Sequence, residues 1–218
     1  MENLCYIVGA CSNNIININK RAHDMLIAAD GGYNLIENKN LIDILLGDFD
    51  SIDKLPEFKN IKRFPIEKDD TDLFLAYKIA KEKKHKNFVI YGGIGGRLDH
   101  TIANVQLLTH MAKNGEHGFL IGENCIITVI SNSEITVKGE KGKTLSVFSV
   151  GDSCEKVTIS GLKYNAENIS LNNAFPLGVS NSFLDCDAKI SVHNGTLMII
   201  WYVTDDRNID IDELFNCF

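Results

Sequence analysis

The spacing of apolar and polar residues changes once along this chain, near residue 122, and each side predicts its own architecture. Before that point, short apolar runs alternate with helical stretches. Residues 4–9 (LCYIVG), 25–29 (MLIAA), 41–46 and 88–91 have the length and composition of buried strands, and 119–121 closes the series. Residues 31–38 are compatible with a short helix. Residues 71–84 read as a longer one: Leu73, Ala76, Tyr77 and Ala80 share a face, and lysines crowd the end where the dipole favours cations. Residues 99–114 repeat apolar side chains at Ile102, Val105, Leu108 and Ala112, with Gly115 as a stop. Strands alternating with helices predict a mainly parallel, Rossmann-like α/β sheet with helices on both faces.

From Cys125 onward no helical period is visible until the last few residues. The segments ending at Ile130, Lys138 and Val150 are short and rich in β-branched residues, as are 154–160, 168–171 and 188–193. Ile135/Val137, Leu145/Val147 and Val157/Ile159 alternate with polar neighbours, as half-buried antiparallel strands do. Asn194-Gly195 stands between 188–193 and 196–203 and signals a type I′ hairpin joining them. The expected product is a C-terminal antiparallel β-sandwich, jelly-roll-like, of about 90 residues. The expected domains are therefore 1–123 and 124–218, with the acidic stretch 205–213 a solvated end and Trp201 packed in its strand.

Composition narrows the function. The chain has 218 residues, 44% of them hydrophobic and 23% charged, an ordinary globular balance. A net charge of −7 gives no support for nucleic-acid or anionic-membrane binding, so any phosphate substrate must be neutralised locally. The six cysteines show no paired spacing, which argues against zinc or a disulfide scaffold and for reduced thiols in a cytoplasmic setting. No signal peptide and no stretch of roughly 20 apolar residues is visible, so no membrane is expected.

The chemistry gathers at four stretches: Ala29-Asp30-Gly31-Gly32, Gly47-Asp48-Phe49-Asp50-Ser51, Asp69-Asp70-Thr71-Asp72, and Gly92 through His100 (GGIGGRLDH). Each ends a predicted strand or opens a predicted helix. In a parallel sheet such turns line one edge, so the four should converge. Singly, each has a cheap structural explanation. Asp48 and Asp50 suit a polar loop, Asp70, Thr71 and Asp72 suit a helix cap, Gly92 to Gly96 suit a flexible turn, and Arg97 suits a local ion pair with Asp99. The glycines do not fit G-x-G-x-x-G, because Leu98 stands where the third belongs, and Gly142-Lys143-Thr144 is no P-loop, because Val137 stands where its first glycine must be. Together, a glycine turn ahead of a helix N-terminus and the planar fork of Arg97 suit an anion. Carboxylates of Asp48, Asp50 and Asp72 beside a phosphate would repel it unless a divalent cation such as Mg²⁺ lay between, which suits a magnesium–nucleotide complex and phosphoryl or pyrophosphoryl transfer.

In this order and spacing, the strings ADGG, LLGDFDS, DDTD and YGGIGGRLDHTIANVQLL resemble the thiamine pyrophosphokinase family. In the β half, Gly161-Leu162-Lys163-Tyr164 and Leu177-Gly178-Val179-Ser180-Asn181 resemble that family's G-L-K-aromatic and G-x-S-N segments. The resemblance implies an N-terminal ATP- and Mg²⁺-binding α/β domain, a C-terminal thiamine-binding β-sandwich, and a homodimer with thiamine between domains of different subunits. It implies transfer of pyrophosphate from ATP to the thiamine hydroxyl, releasing AMP. By position it makes Asp48, Asp50 and Asp72 the metal-binding, catalytic acids. It makes Gly93, Gly95, Gly96, Arg97 and Asp99 the ATP-binding string, and Asp30, Thr71, Ser180 and Asn181 the thiamine pocket. Tyr164 is a candidate for the aromatic that stacks on thiamine, and His100 has no derived role. A metal-dependent nucleotide or phosphoester hydrolase, or a non-catalytic thiamine or nucleotide sensor, would use the same groups.

Overall fold

The structure, a computed structural model, describes residues 3–12, 14–49, 58, 60–65, 70–204 and 209–218. The chain forms two compact units, one of residues 1–107 with 120–123 and one of residues 108–119 with 124–218.

The first unit holds β1 (Leu4–Cys11), β2 (Met25–Ala29), α1 (Gly32–Leu35), β3 (Ile44–Gly47), β4 (Ile61–Arg63), α2 (Asp72–Glu82), β5 (Asn87–Gly93) and the start of α3 (Leu98–Lys113). Its five strands are all parallel and lie in the order β5-β1-β2-β3-β4. Every residue of β2 and the first six of β1 are buried, as the continuous apolar runs of a doubly covered sheet require. Among the described residues, the connection from β1 to β2 carries no helix. It is tied down by buried Asp24, whose carboxylate accepts the Leu4 N–H at 2.9 Å and the Arg21 Nε–H at 2.9 Å. Burial pushes the Asp24 pKa up, but the hydrogen bonds from Arg21 and Leu4 outweigh it and hold the group below its ordinary value.

Two boundaries differ from those the pattern predicts, and one strand is new. The 41–46 run becomes strand only at Ile44, because the Asn38 side chain accepts the Asn40 N–H and draws Lys39–Leu41 into a 3₁₀ turn. The helix at 31–38 is a single turn, Gly32–Leu35, after which Ile36 is extended and bridges Ile16. Strand β4, Ile61-Lys62-Arg63, carries one apolar residue in three and sits on the sheet edge, so no hydrophobic run announces it. Helix α3 ends as expected, with Gly115 at φ +69° and the Glu116 N–H returning to the Met111 carbonyl at 3.0 Å.

The second unit takes β6 (His117–Ile121) through Phe119, then β7 (Cys125–Ser131), β8 (Glu134–Val137), β9 (Thr144–Ser149), β10 (Ser153–Ser160), β11 (Ala166–Asn172), β12 (Asn181–Ser182), β13 (Ala188–Ser191), β14 (Thr196–Tyr202) and α4 (Ile211–Phe215). All its named pairings are antiparallel, in the orders β12-β9-β14-β7 and β11-β10-β13-β8. Leu145, Val147, Leu197, Ile199 and Trp201 of the first sheet are buried, as are Ile135, Val157, Ile159 and Ile190 of the second. Trp201 packs in its strand, edge-on to Phe119 at 6.2 Å.

Asn194-Gly195 does not form the predicted hairpin. Strand β13 pairs with β8 and β10, whereas β14 pairs with β7 and β9, so the dipeptide carries the chain from one sheet to the other. A type I′ turn needs φ > 0 at both central residues, and only Gly195 has it, at +129°. A Cβ on Gly195 would stand 2.7 Å from the Cys154 Sγ, so glycine is required there for close approach to β10. Of the acidic stretch, residues 209–213 are exposed or half-buried, and the chain packs only beyond it. Residues 205–208 lie outside the described residues, but α4 follows them, Phe215 packs edge-on to Phe119 at 5.0 Å, and Phe218 lies 3.9 Å from the His117 ring. All six cysteines are free thiols, and among the described residues no helix is long and apolar enough to cross a membrane.

Candidate active site

In the first unit the chain runs outward from β1 through β2 and β3 to β4, then returns to place β5 on the other side of β1. Strand order therefore reverses between β1 and β5, the kind of point where open parallel sheets bind ligands beyond their carboxyl ends. Glycines bring the strand ends together there. A Cβ on Gly92, whose φ is +63°, would lie 2.1 Å from the Gly9 carbonyl oxygen, and one on Gly32 would lie 2.0 Å from that of Val8.

The acidic residues sit on the same edge. Asp30 ends β2 at φ +49°, with its N–H donated to the Leu46 carbonyl at 2.7 Å. Gly47 ends β3, and a Cβ on it would stand 3.1 Å from the Asp30 Cα, so the turns carrying Asp30 and Asp48 lie against each other. Asp48 is half-buried, and Phe49 after it is buried at φ +65° with the Arg63 guanidinium 5.8 Å from its ring. Left-handed backbone at non-glycine residues costs energy and gathers where surroundings hold a functional geometry. Asp50 and Ser51 lie outside the described residues.

Helix α2 reaches this edge through Leu73, which stands 3.1 Å from where a Cβ on Gly9 would be and 3.4 Å from one on Gly93. At its start the three polar residues divide their work. Thr71 Oγ1 accepts the Phe74 N–H at 3.3 Å as the N-cap, Asp70 pairs with Lys78 at 2.7 Å, and Asp72 occupies the first turn. The capping explanation therefore holds for Thr71, and Asp72 is the acid in the first turn, where the helix dipole favours a negative charge. Among the described residues no three His, Cys, Asp or Glu side chains cluster closely enough to hold an ion.

The glycine turn follows β5, which includes Gly92 and Gly93. Gly95 and Gly96 are exposed at φ +102° and +59°. The Gly95 N–H is donated to Thr101 Oγ1 at 3.3 Å, which folds the turn back on the first turn of α3. Arg97 forms the local ion pair the sequence allowed, its Nη2 on Asp99 Oδ2 at 2.5 Å, with both side chains exposed. The shared hydrogen bond raises the Arg97 pKa and lowers that of Asp99, which also accepts the His100 N–H at 3.1 Å. An exposed pair of this kind is screened by water and is readily exchanged for a phosphate partner.

Ser180 and Asn181 belong to the second unit, Ser180 just before β12 and Asn181 at its start. Ser180 has φ +61° and donates its N–H to Ser146 Oγ at 3.0 Å. Asn181 is buried, and its side chain is engaged with the backbone of Tyr164, itself 62% exposed. Two supporting residues have signals too weak to single out from sequence. Asn104 is a buried polar residue in the apolar register of α3, and its Nδ2 donates to the Gly93 carbonyl at 2.7 Å, fixing the entry to the glycine turn. Cys11 has its Sγ 3.4 Å from where a Cβ on Gly96 would stand, beneath the same turn.

Comparison with known proteins agrees with this layout. Residues 18–120 match the family model "Thiamin pyrophosphokinase, catalytic domain", and residues 132–197 match "Thiamin pyrophosphokinase, vitamin B1 binding domain". The chain is 30% identical over 186 residues to the thiamine pyrophosphokinase of Bacillus subtilis, covering 82% of this chain and 87% of that one. It is 27% identical over 186 residues to thiamin pyrophosphokinase 1 of Caenorhabditis elegans, covering 79% and 76%. The crystal structure of the Bacillus subtilis thiamine pyrophosphokinase superposes with a TM-score of 0.81 at 26% identity, covering 93% of this chain and 99% of that one. The α/β unit, the antiparallel β unit and the matched sequence together place this chain in the thiamine pyrophosphokinase family.

Proposed function

We propose that this chain transfers the pyrophosphoryl group of magnesium-bound ATP to the hydroxyl of thiamine, giving thiamine diphosphate and AMP. The observation that carries the reading is the convergence of Asp30, Asp48, the start of α2 and the glycine turn at the carboxyl edge of the parallel sheet, around its β1/β5 reversal. The thiamine oxygen forms a bond to the β-phosphorus in line with the oxygen that bridges to the α-phosphate. That bridging bond breaks, its electron pair leaves with AMP, and the hydroxyl proton is released. No residue is assigned as the base.

The protein contributes position and charge rather than covalent chemistry. Gly93, Gly95, Gly96 and the N-terminus of α3 present backbone to the phosphates, while Arg97 exchanges Asp99 for a phosphate oxygen. Asp48, Asp50 and Asp72 offer only hard carboxylate oxygens, the donor set Mg²⁺ prefers. Asp48, Asp50 and Asp72 would hold the ion, which would supply the positive charge to neutralise a polyphosphate beside an acidic chain. Asp30, Thr71, Ser180, Asn181 and Tyr164 serve thiamine. Residues 1–123 act as the catalytic domain and 124–218 as the thiamine-binding domain, in a cytoplasmic homodimer. Exposed Phe175, Leu177, Val179 and Leu184 supply apolar surface that favours self-association.

Incubation with ATP, Mg²⁺ and thiamine is expected to yield AMP and thiamine diphosphate in equal amounts. Turnover without thiamine returns the site to a hydrolase, and tight binding without turnover returns it to a sensor.

A further inference from the structure

We infer that Asn181 is a positioning residue that holds Tyr164 in place for the thiamine ring system, a role that rests on the reading above. The Asn181 side chain is 9% exposed and makes three hydrogen bonds within the protein. Its Oδ1 accepts the N–H of Tyr164 at 2.9 Å and that of Ser182 at 2.9 Å, and its Nδ2 donates to the Tyr164 carbonyl at 2.6 Å. The amide orientation is fixed by chemistry, because the opposite one would set NH₂ against two N–H donors. A carboxamide has two acceptor lone pairs and two N–H groups, so one N–H at most is left for a ligand. Two of the three bonds thus go to the backbone of one residue, Tyr164, clamped at both its N–H and its C=O.

The clamp presents an exposed aromatic side chain. The Tyr164 ring is 62% exposed while its backbone is pinned. Its neighbours stiffen the mount. Buried Leu162 bridges Phe183, and the Lys163 N–H donates to the Ser182 carbonyl at 2.9 Å. Gly161 has φ +78° in a space where a Cβ would lie 2.0 Å from the Asp187 carbonyl oxygen. Lys163 Nζ stands 5.2 Å from the Tyr164 ring centroid, so the ring already accepts a cation over its face. Thiamine joins an aromatic pyrimidine to a cationic thiazolium, and a fixed aromatic face suits both. Holding that face in place before the ligand arrives removes ordering cost from binding.

The test is steady-state kinetics on Asn181→Ala, Tyr164→Ala and the double variant, with melting temperatures measured alongside. Asn181→Ala is expected to raise KM for thiamine about tenfold, equivalent to about 1.4 kcal/mol, with KM for ATP unmoved. In the Tyr164→Ala background it is expected to add nothing further. Asn181→Asp keeps both accepted hydrogen bonds but sets a carboxylate oxygen against the Tyr164 carbonyl, so it is expected to raise KM for thiamine at least as far as Asn181→Ala, while the melting temperatures show which variants remain folded. Wild-type thiamine turnover, measured first, separates failure of the underlying reading from failure of the clamp. An undiminished Asn181→Ala effect in the Tyr164→Ala background makes Asn181 a direct ligand and overturns the proposal. A lowered melting temperature with KM unmoved also overturns it, because the amide is then only structural.

Discussion

Asp48→Asn is expected to lower kcat by roughly 10²–10³-fold while leaving the protein folded, on the scale of removing one essential charge-stabilising group. Asp48 is half-buried at the end of β3, between Gly47 at φ +147° and Phe49 at φ +65°. Asparagine fits that space and keeps one acceptor oxygen, but it removes the negative charge a hard divalent cation binds. Because Asp48 is half-buried at a strand end rather than in the core, its replacement by a near-isosteric amide is expected to change the stability of the ligand-free protein by no more than about 0.5 kcal/mol. The diagnostic pair is therefore unchanged melting without ligand and collapsed turnover with it. Turnover within a few-fold of wild type returns Asp48 to loop polarity, the reading that is simplest when the aspartate is considered alone.

Gly92→Ala should have the largest effect on folding. The residue sits at φ +63°, where a Cβ costs about 1–2 kcal/mol. That Cβ would also lie 2.1 Å from the Gly9 carbonyl oxygen, backbone against backbone, with no flexible side chain to yield. Strands β1 and β5 would have to part at their carboxyl ends. We expect a loss of about 3–5 kcal/mol of stability, read as a lower midpoint in denaturant with little change in slope. ATP affinity should fall as well, since the glycine turn begins at this residue. Gly95→Ala is the control, because open space surrounds its Cβ position, so it carries only the φ penalty. Equal effects of the two substitutions would remove the β1–β5 crossing from the account.

How much of this was legible in the sequence depends on whether the deciding interaction was local. The buried strands β1, β2 and β5 and the helices α2 and α3 were, from their apolar composition and from Thr71 and Gly115 at the helix ends. Helix α3, however, buries Asn104, Leu107, Leu108 and Met111 rather than the face of Ile102, Val105 and Ala112, with Ile102 54% exposed. Strand order was not legible, because pairing is settled between segments distant in sequence, and with it went the position of the β1/β5 reversal. Strand β4 had no apolar run to announce it. Asn194-Gly195 misled because its local preference for a hairpin is real, but the close approach of Gly195 to Cys154 uses the same glycine to cross between sheets. The packing of Phe215 and Phe218, beyond the acidic stretch, was not legible, because their partner Phe119 is distant in sequence. In the site, the acids and the glycine turn stood out as residue types. Asn104, which holds the entry to the glycine turn, and Asn181, which holds Tyr164, show themselves only when their hydrogen-bond partners are known.

The most direct test of the central claim follows one oxygen. ATP carrying ¹⁸O at the bridge between the α- and β-phosphates is turned over with Mg²⁺ and thiamine, and the products are separated and weighed by mass spectrometry. Attack at the β-phosphorus predicts that all of the label leaves in AMP and none enters thiamine diphosphate. Label in the pyrophosphoryl product would place bond cleavage at the α-phosphorus and contradict the account.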